Sequence, residues 1–344
     1  MKTKGSNFGK AAASPDRGSR VNRRGFIARA LTVSAGAAVS VRAAEPSPVA
    51  GGPGGKREPV VPGSKGTLPM GKIGELKISR LISGGNLISG WAHSRDLHYV
   101  PALMRAYNTP DKVLDTLQLL EEYGVNAIIA DPIKKPKDIF ARYWKERGGK
   151  MKWIAEGHPE AGDWKTNIQQ SIEFGAAAVY VQGVIGDKFL KEGRMDLLGK
   201  CVEFTKSQGV PGGIGAHKLE VIIEAEKNKY GADFYVKTLH GKNYWSARRA
   251  EQKEDPVDNP ADNYWEMEPQ KTIAFMQEVE KPWIAFKILA AGAIRPESGF
   301  KYAFENGADF VCVGMFDFQV EQNVALVKTI VPQLENSRER AWMA

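Results

Sequence analysis

Apolar and polar positions follow two alternating periods along most of the chain, from residue 81 to residue 334. Short runs that are apolar on both faces are typical of buried parallel strands, and segments with one apolar face at helical spacing are typical of covering helices. The runs predict strands at residues 81–87, 125–131, 151–156, 176–182, 210–217, 232–240, 282–291 and 308–315. The intervening segments predict helices at residues 110–123, 136–146, 163–174, 195–207, 219–229, 268–279, 296–306 and 319–334.

Eight strand–helix pairs in about 260 residues match, in number and length, a single α/β domain of the (β/α)8 TIM-barrel type. Before the first pair, residues 71–81 alternate around Gly74 and Glu75, which predicts a small N-terminal hairpin. The barrel domain is therefore expected at residues 71–344. Residues 241–269 form a long loop after strand six, and a loop of this length in a compact domain is usually a lid or a binding loop.

The N-terminal segment differs from the rest of the chain in charge. Residues 1–44 hold nine of the 48 Lys and Arg residues but one of the 40 Asp and Glu residues, so the remainder is balanced. A basic surface for nucleic acid is therefore not expected on the folded domain. Arg23 and Arg24 precede an apolar run at residues 30–41, which is too short to cross a bilayer because a spanning helix needs about 20 residues.

This arrangement resembles a twin-arginine export signal, with Ala43 or Ala44 as its last residue. The resemblance implies a signal peptide at residues 1–44 and contact with the twin-arginine translocation machinery. It also implies a periplasmic or secreted mature protein without a stable membrane anchor. Residues 45–70 are rich in Pro and Gly and lack periodicity, which predicts a flexible linker.

Polar residues lie at the carboxyl ends of the predicted strands, where enzymes of this fold carry their reactive groups. In chain order these positions supply Ser83, Asn86, Asp131, Glu156, His158, Gln182, His217, Lys237, His240 and Lys287. The loops add His93 after strand one, and Tyr244 and Trp245 after strand six, as candidate walls of a substrate site. A purely structural barrel does not require this set, so a binding or catalytic site is expected at this face.

Two of these residues are lysines in strands that are otherwise apolar. The alternation of Trp283, Ala285 and Lys287 places Lys287 either in the barrel or against the helices. The interior is favoured, because an unpaired amine against the helices costs free energy. An amine in an apolar pocket, or beside a second cation, has a lowered pKa and attacks carbonyl groups. Lys237 occupies the equivalent place on strand six, although either lysine can instead be a structural residue held by a salt bridge.

Strands six and seven resemble the deoxyribose-phosphate aldolase family. In that family a lysine follows an Ala-Asp-Phe strand, here residues 232–234, and a second lysine precedes a glycine-rich turn. The resemblance implies that Lys237 forms a Schiff base with the substrate and that Lys287 tunes its pKa.

Both ends of the barrel domain resemble the aldo/keto reductase superfamily. The similar segments are residues 78–81, 110–123 and 314–323, together with the aspartate Asp131 that closes strand two. The tyrosine and lysine that this family uses for proton transfer are replaced by residues 133–135 and 156–158, and the sequence has no glycine-rich dinucleotide loop. The resemblance therefore implies shared ancestry without the reductase proton relay.

The whole barrel domain is also similar to a group of uncharacterised exported or cytosolic barrel proteins. The shared segments are residues 84–86, 215–217 and 287–292. This likeness implies the fold and no particular activity.

A divalent metal is a further possibility for the strand ends. Glu156 and His158 share one face of strand three, and Asp131, His217 and His240 can add O and N ligands for Zn²⁺ or Mn²⁺. None of them has local ligand spacing such as H-x-H, and a single histidine at a strand end is more often an acid, a base or a hydrogen-bonding group. The cofactor stays unknown: no metal is the principal expectation, and the alternative metal ligands are Glu156, His158, His217 and His240.

Together these patterns predict an exported enzyme of the lyase or aldolase class that acts on a small hydroxylated or carbonyl substrate, such as a sugar derivative. The candidate catalytic residues are Lys287, His217, Lys237 and Glu156, with Lys287 as the group that stabilises or attacks the carbonyl and His217 as the general acid or base. The candidate substrate-binding residues are Asn86, His93, Asp131, Gln182, His240, Tyr244 and Trp245. The alternatives are a metal-dependent sugar isomerase or epimerase, a relict reductase and a carbohydrate-binding barrel without activity.

Overall fold

Eight parallel strands close into a barrel in the computed structural model, which describes residues 58–252, 255 and 265–344. The barrel strands are β3 (Leu81–Gly84), β4 (Ala127–Ala130), β5 (Lys152–Gly157), β6 (Ala178–Val181), β7 (Gly212–Ala216), β8 (Phe234–Thr238), β9 (Trp283–Phe286) and β10 (Phe310–Val313). Each strand pairs with its neighbours in the chain, and β10 closes the barrel on β3 with Val311 opposite Leu81. The predicted (β/α)8 fold is confirmed.

The helices follow the strands in the order that the sequence predicts. In the described part of the chain they are α1 (Asn86–Ser89), α2 (Val100–Tyr107), α3 (Pro110–Glu122), α4 (Lys134–Glu146), α5 (Thr166–Phe174), α6 (Gly183–Lys191), α7 (Asp196–Ser207), α8 (Leu219–Lys227), α9 (Pro269–Gln277), α10 (Pro296–Glu305) and α11 (Asp317–Gln333). Pro110, Pro269 and Pro296 begin their helices, where a missing N–H is tolerated. The sequence patterns missed α1, α2 and α6.

Two separate apolar cores result from the alternation of side chains along the strands. The outer core fills the space between strands and helices, and it includes Tyr235, Trp283 and Ala285. The inner core fills the barrel, and its members are Ile73, Ile78, Ile82, Ala127, Ile129, Ile154, Ala178, Tyr180, Phe234, Val236, Ile284 and Phe310.

The base of the barrel is closed by both a hairpin and the C-terminal segment. The predicted hairpin is present as β1 (Met70–Ile73) and β2 (Leu76–Ser79), an antiparallel pair that contributes Ile73 and Ile78 to the inner core. Ala344 packs against the same core, and its carbonyl oxygen accepts a hydrogen bond from Arg80 at 2.9 Å. The base is therefore filled with apolar side chains, which leaves the opposite end for a site.

The segment before the hairpin packs onto the barrel from residue 58. Val60 and Leu68 are buried, and backbone hydrogen bonds join Gly63 and Lys65 to the end of α3, both at 2.8 Å. The sequence assigned these residues to the linker at 45–70, but their apolar side chains cover the helix layer. Residues 45–57 of that linker and the whole predicted signal peptide lie outside the described residues. Among the described helices, none combines the length and the apolar character that a membrane-spanning segment needs.

Candidate active site at the barrel mouth

Lys287 lies at the mouth of the barrel because β9 ends one residue before it. The strand stops at Phe286, short of the predicted Ala291, and Lys287 has a left-handed backbone with φ of 57°. Continued alternation with Trp283 and Ala285 would have placed Lys287 in the outer core. The turn brings its Nζ within 3.0 Å of His93 Nε2 and 4.0 Å of the centre of the Trp265 ring. The inward position matches the expectation, but a turn produces it and strand alternation does not.

The environment of Lys287 favours a neutral amine. Burial lowers the pKa of Lys287 from 10.5 to about 7, and the negative charge of Glu156 only partly opposes this effect. Among the described residues no carboxylate forms an ion pair with its Nζ. At neutral pH, the Lys287 amine is therefore unprotonated, and so nucleophilic, in a large fraction of the molecules.

Trp265 covers this end of the barrel. Its side chain is 3% exposed, and its ring contacts the rings of His93 edge-on at 5.4 Å and of His217 at 4.5 Å between centroids. Lys287 and His217 thus lie against the same indole. Because the ring excludes water from both groups, it strengthens the electrostatic effects on their pKa values.

A buried histidine anchors Trp265 in place. His240 Nε2 accepts hydrogen bonds from the backbone N–H groups of Trp265 at 3.1 Å and Glu266 at 2.9 Å, while its Nδ1 donates to the carbonyl oxygen of Gly241 at 3.0 Å. Nε2 therefore fixes the returning end of the long loop, and Nδ1 is bonded to the first residue of the same loop. This geometry gives His240, predicted to bind substrate or metal, a supporting position behind Trp265.

His217 forms a buried dyad with Asp187 of α6. The distance from His217 Nδ1 to Asp187 Oδ2 is 2.7 Å, and the same carboxylate accepts the backbone N–H of His217 at 3.1 Å from both oxygens. Burial lowers the pKa of His217 although Asp187 raises it, so the imidazole is neutral at pH 7. With Nδ1 donating to Asp187, Nε2 carries the lone pair, and it has no hydrogen-bond partner among the described residues.

Glycine residues allow this dyad to form. A Cβ atom on Gly186 would lie 2.4 Å from the carbonyl oxygen of Gly215, so only glycine lets α6 approach β7 closely enough for Asp187 to reach His217. Gly215 of β7 is also closely packed from inside the barrel, because a Cβ atom there would lie 2.7 Å from the ring of Tyr180.

The opposite wall of the mouth is acidic. Glu156 shares the inward parity of Ile154 on β5, and burial together with the neighbouring Asp131 raises the pKa of Glu156 to about 7. His158 Nε2 lies 3.5 Å from Asp131 Oδ1 and lowers the pKa of this carboxyl group. Single ligand atoms of the three side chains all lie within 4.8 Å of one another.

Lys237 does not join the mouth cluster. It has the outward parity of Tyr235 on β8, is fully buried, and forms an ion pair with Glu266 at 2.6 Å. Its Nζ also donates to Thr238 Oγ1 at 2.7 Å, and Glu266 accepts from Thr272 of α9 at 3.2 Å. This is the salt-bridged, structural alternative, and it separates Lys237 from the Schiff-base role that the aldolase resemblance implies.

The remaining predicted residues occupy different depths. Asn86 Nδ2 lies 3.3 Å from His93 Nε2, and Gln182 Nε2 lies 3.5 Å from Glu156 Oε2. Tyr244 packs edge-on against His240 at 5.7 Å, whereas Trp245 is 89% exposed and lies away from the cluster. The mouth therefore gathers Lys287, His217, Glu156, Asn86, His93, Asp131 and Gln182, and it leaves Lys237, His240 and Trp245 in other surroundings.

Sequence reasoning missed several residues of the mouth. Asp187 belongs to a helix that was not predicted, although glycines at 183 and 186 before an aspartate are a signal of close packing. Cys312 is a free, half-buried thiol that packs against the inner core, and burial and Glu156 raise its pKa. No local signal identifies Trp265 among the four aromatics of the long loop.

Known proteins match this chain at the level of the fold. No protein-family model matches it, and no curated protein matches it. A solved structure assigned as an aldo-keto reductase from Pseudomonas aeruginosa is 16% identical, with a TM-score of 0.53 over 80% of this chain and 98% of that chain. An aldo-keto reductase from Bacillus halodurans, in its holo form, is 13% identical, with a TM-score of 0.52 over 76% of this chain and 91% of that chain.

Aldolase-type barrels are also among the matching structures. A truncated 3-deoxy-D-arabino-heptulosonate 7-phosphate synthase from Thermotoga maritima is 12% identical, with a TM-score of 0.48 over 78% of this chain and 93% of that chain. The protein described as QR15, an aldolase, is 12% identical with a TM-score of 0.38 over 64% of this chain and 91% of that chain. The expected similarity to the aldo/keto reductase superfamily is confirmed for the fold, and identities this low show the fold alone.

Proposed function

We propose that the protein is a lyase that forms a Schiff base between Lys287 and a small hydroxylated carbonyl compound such as a sugar derivative. The observation that carries this proposal is the environment of Lys287 Nζ. It lies at the mouth of the barrel against Trp265, forms no ion pair with a described carboxylate, and has a pKa of about 7. An amine in this state attacks a carbonyl carbon without first losing a proton to solvent.

The neighbouring groups supply the proton transfers that such a reaction needs. Addition of Lys287 to the carbonyl and loss of water give an iminium ion. His217 Nε2 then takes the proton of a hydroxyl group on the β carbon, and the bond between the α and β carbons breaks. The β carbon leaves as the carbonyl group of the first product, and the electron pair of the broken bond neutralises the iminium nitrogen as an enamine. Protonation of the enamine carbon and hydrolysis release the second product and restore the amine.

Two further residues fit supporting roles. His93 accepts a hydrogen bond from Nζ and orients the amine. Glu156, with a pKa of about 7, is protonated in part at neutral pH and can donate the proton that the departing water requires. A binding barrel without activity has no use for an unpaired amine beside a histidine–aspartate dyad, so the geometry favours an enzyme.

Borohydride trapping tests the proposal directly. The purified protein is incubated with a panel of aldoses, ketoses and keto acids, reduced, digested and analysed by mass spectrometry. A stable adduct is expected on Lys287, because borohydride adds hydride to the iminium carbon and leaves a secondary amine. The variant Lys287→Met should lose the adduct, whereas Lys301→Met, which removes an exposed lysine from α10, should keep it.

Two results would overturn this assignment. Adducts confined to Lys237 would show that Lys237, as the aldolase resemblance implies, forms the Schiff base in place of Lys287. Equal adducts on many exposed lysines, with no preference for Lys287, would indicate non-specific glycation.

We also propose export through the twin-arginine pathway to the periplasm or the medium. The support is the paired Arg23 and Arg24 before an apolar run in the sequence. A fusion of residues 1–44 to a reporter should be exported from a bacterial host, and the double variant Arg23→Lys with Arg24→Lys should remain inside. Equal export of both fusions would contradict the pathway.

A further inference from the structure

Three side chains from two neighbouring strand ends form a compact cluster on the acidic wall of the mouth. Asp131 follows β4, Glu156 lies in β5, and His158 follows β5. One ligand atom of each lies within 4.8 Å of the other two, and Asp131 Oδ1 and His158 Nε2 are 3.5 Å apart. Zn²⁺ binds N and O donors at roughly 2.0 to 2.2 Å. Two neighbouring donor atoms of one such ion are therefore about as far apart as Asp131 Oδ1 and His158 Nε2 are here.

The outer oxygens of the two carboxylates are held by neutral hydrogen-bond donors. Trp91 Nε1 donates to Asp131 Oδ2 at 3.2 Å, and Gln182 Nε2 lies 3.5 Å from Glu156 Oε2. Metal-binding carboxylates are commonly oriented in this way, with one oxygen fixed by the protein and the other directed at the ion.

Lysine and arginine side chains of the described residues do not pair with the carboxylates of this cluster. Within residues 58–252, 255 and 265–344, neither Asp131 nor Glu156 forms an ion pair with a lysine or an arginine, and His158 is the only cationic candidate beside Asp131. Asp131 is buried, and two carboxylates at this separation repel one another. A divalent cation would balance both negative charges at once.

We propose that Asp131, Glu156 and His158 bind one divalent first-row metal ion at the mouth of the barrel. One imidazole and two carboxylates suit Mn²⁺ or Zn²⁺ in preference to a soft ion. Three protein ligands leave positions for oxygen atoms of a small substrate. The site does not include Lys287, which belongs to β9 on the other side of the mouth. It does use Glu156, which in the metal-bound protein would be a ligand and not a proton donor.

This set differs from the metal ligands that the sequence offered as an alternative. His217 is held by Asp187 through Nδ1 and is not part of the compact cluster, while both nitrogens of His240 bind backbone groups. Asp131, which the sequence also offered as an oxygen ligand, completes the set. Its proximity to His158 depends on the pairing of β4 with β5, which places Ala130 opposite Ala155.

Titration with Mn²⁺ alone tests the site. Protein freed of metal with a chelator is titrated with MnCl₂, and free Mn²⁺ is measured by electron paramagnetic resonance, which detects the hydrated ion. We expect one tight equivalent for the unaltered protein. Asp131→Asn and His158→Gln should each weaken binding by about tenfold or more, while Glu160→Gln, which neutralises an exposed carboxylate on the same loop, should change it little.

Two ligand variants are used so that the titration can be interpreted even if one of them does not fold. His158 is partly exposed, so His158→Gln is expected to fold even if Asp131→Asn does not, and circular dichroism checks both. Absence of a tight equivalent in the unaltered protein, or equal affinity in the Asp131→Asn, His158→Gln and Glu160→Gln proteins, would overturn the site. Borohydride trapping of the metal-free protein separates the two proposals, because an adduct on Lys287 without bound metal supports the lyase whatever the titration shows.

Discussion

At the scale of single residues, Lys287 combines a strained backbone with an amine whose burial costs free energy of folding. A left-handed φ is uncommon for a residue with a Cβ atom, and the amine is held in an apolar site that lowers its pKa. Ala290 and Ala291, which follow in the same turn, also have positive φ values of 44° and 54°. Such accumulated strain persists where the surrounding structure fixes it, and functional sites are a common place for it.

We expect Lys287→Met to stabilise the fold at neutral and acidic pH. The folded protein holds the proton less tightly than the unfolded chain, so the protonated amine destabilises the native state in full below pH 7. This cost disappears as the pH rises toward 10.5, because in that window only the unfolded chain is protonated. Urea denaturation at pH 6 should show a gain of about 1 to 3 kcal/mol, reduced from the full shift because the side chain is partly exposed. A loss of stability at pH 6 would contradict a buried, unpaired amine.

The same pKa predicts how labelling of Lys287 depends on pH. Reductive methylation with formaldehyde and cyanoborohydride requires the neutral amine, and an ordinary lysine loses its proton near pH 10.4. Relative to the exposed Lys301, labelling of Lys287 should be strongest at pH 6 and should fall steadily from pH 7 toward pH 10, where an ordinary lysine also becomes neutral. Mass spectrometry of the two peptides measures the ratio. A ratio that stays constant from pH 6 to 10 would indicate an unperturbed amine at Lys287.

At the scale of elements, the return of the long loop is fixed to β8 by buried polar groups. Lys237, Glu266 and His240 form the attachment, and Trp265 lies directly beside it in the chain. The Lys237–Glu266 ion pair therefore anchors the end of the loop on the outer side of the barrel. The indole of Trp265 covers the inner side. Lys237 thus influences the mouth through the position of Trp265, without reaching the mouth itself.

Glu266→Gln should be strongly destabilising, because it leaves the buried ammonium of Lys237 without a counter-charge. Loss of one partner from a buried ion pair costs about 3 to 5 kcal/mol. The double variant Lys237→Met with Glu266→Gln removes both charges and should recover most of this loss. Chemical denaturation of the two proteins gives the comparison. Equal destabilisation would show that hydrogen bonds to Thr238 and Thr272, and not the charge, support the attachment.

At the scale of the whole molecule, the fold was largely predictable from the period of apolar positions. Eight runs gave eight strands within a few residues, since buried parallel strands tolerate few polar side chains. The end of β9 was misplaced because residues 287–291 are almost as apolar as the strand, and only the dihedral angles distinguish the turn. Helix α6 was missed because its start is glycine-rich.

The candidate site was predictable in part, because the apolar runs that mark the strands also mark where the strands end. Strand ends are marked by their place after an apolar run, which identified Asp131, Glu156 and His217. The partners that tune these groups come from outside the strands: Asp187 from a helix and Trp265 from a loop. Their positions depend on tertiary packing that short-range patterns do not contain.

The C-terminal segment is a stabilising element of the whole barrel. Arg340 and Asp309 are completely buried and form an ion pair at 2.7 Å, and Arg340 also donates to the carbonyl oxygens of Gly307, Val279 and Lys281. Arg340→Met should lower the free energy of unfolding by about 3 to 5 kcal/mol, since Asp309 is left buried without its partner. Thermal unfolding measures the change.

A matched control separates this effect from the general loss of an arginine. Arg142→Met removes a partly exposed guanidinium that pairs with Glu146 and Asp111, and it should change stability by about 0.5 kcal/mol or less. Similar melting temperatures for the Arg340→Met protein and the unaltered protein would show that the C-terminal segment does not hold the base of the barrel.

The packing of Ala344 against the inner core has a practical consequence for anyone who handles this protein. A purification tag or a fluorescent reporter fused directly at that residue would have to start among the apolar side chains that seal the base, beside the guanidinium of Arg80. Such a fusion would displace Ala344 from its contacts with the inner core. A spacer of several flexible residues would therefore be needed before any cargo could be attached there without loosening the barrel.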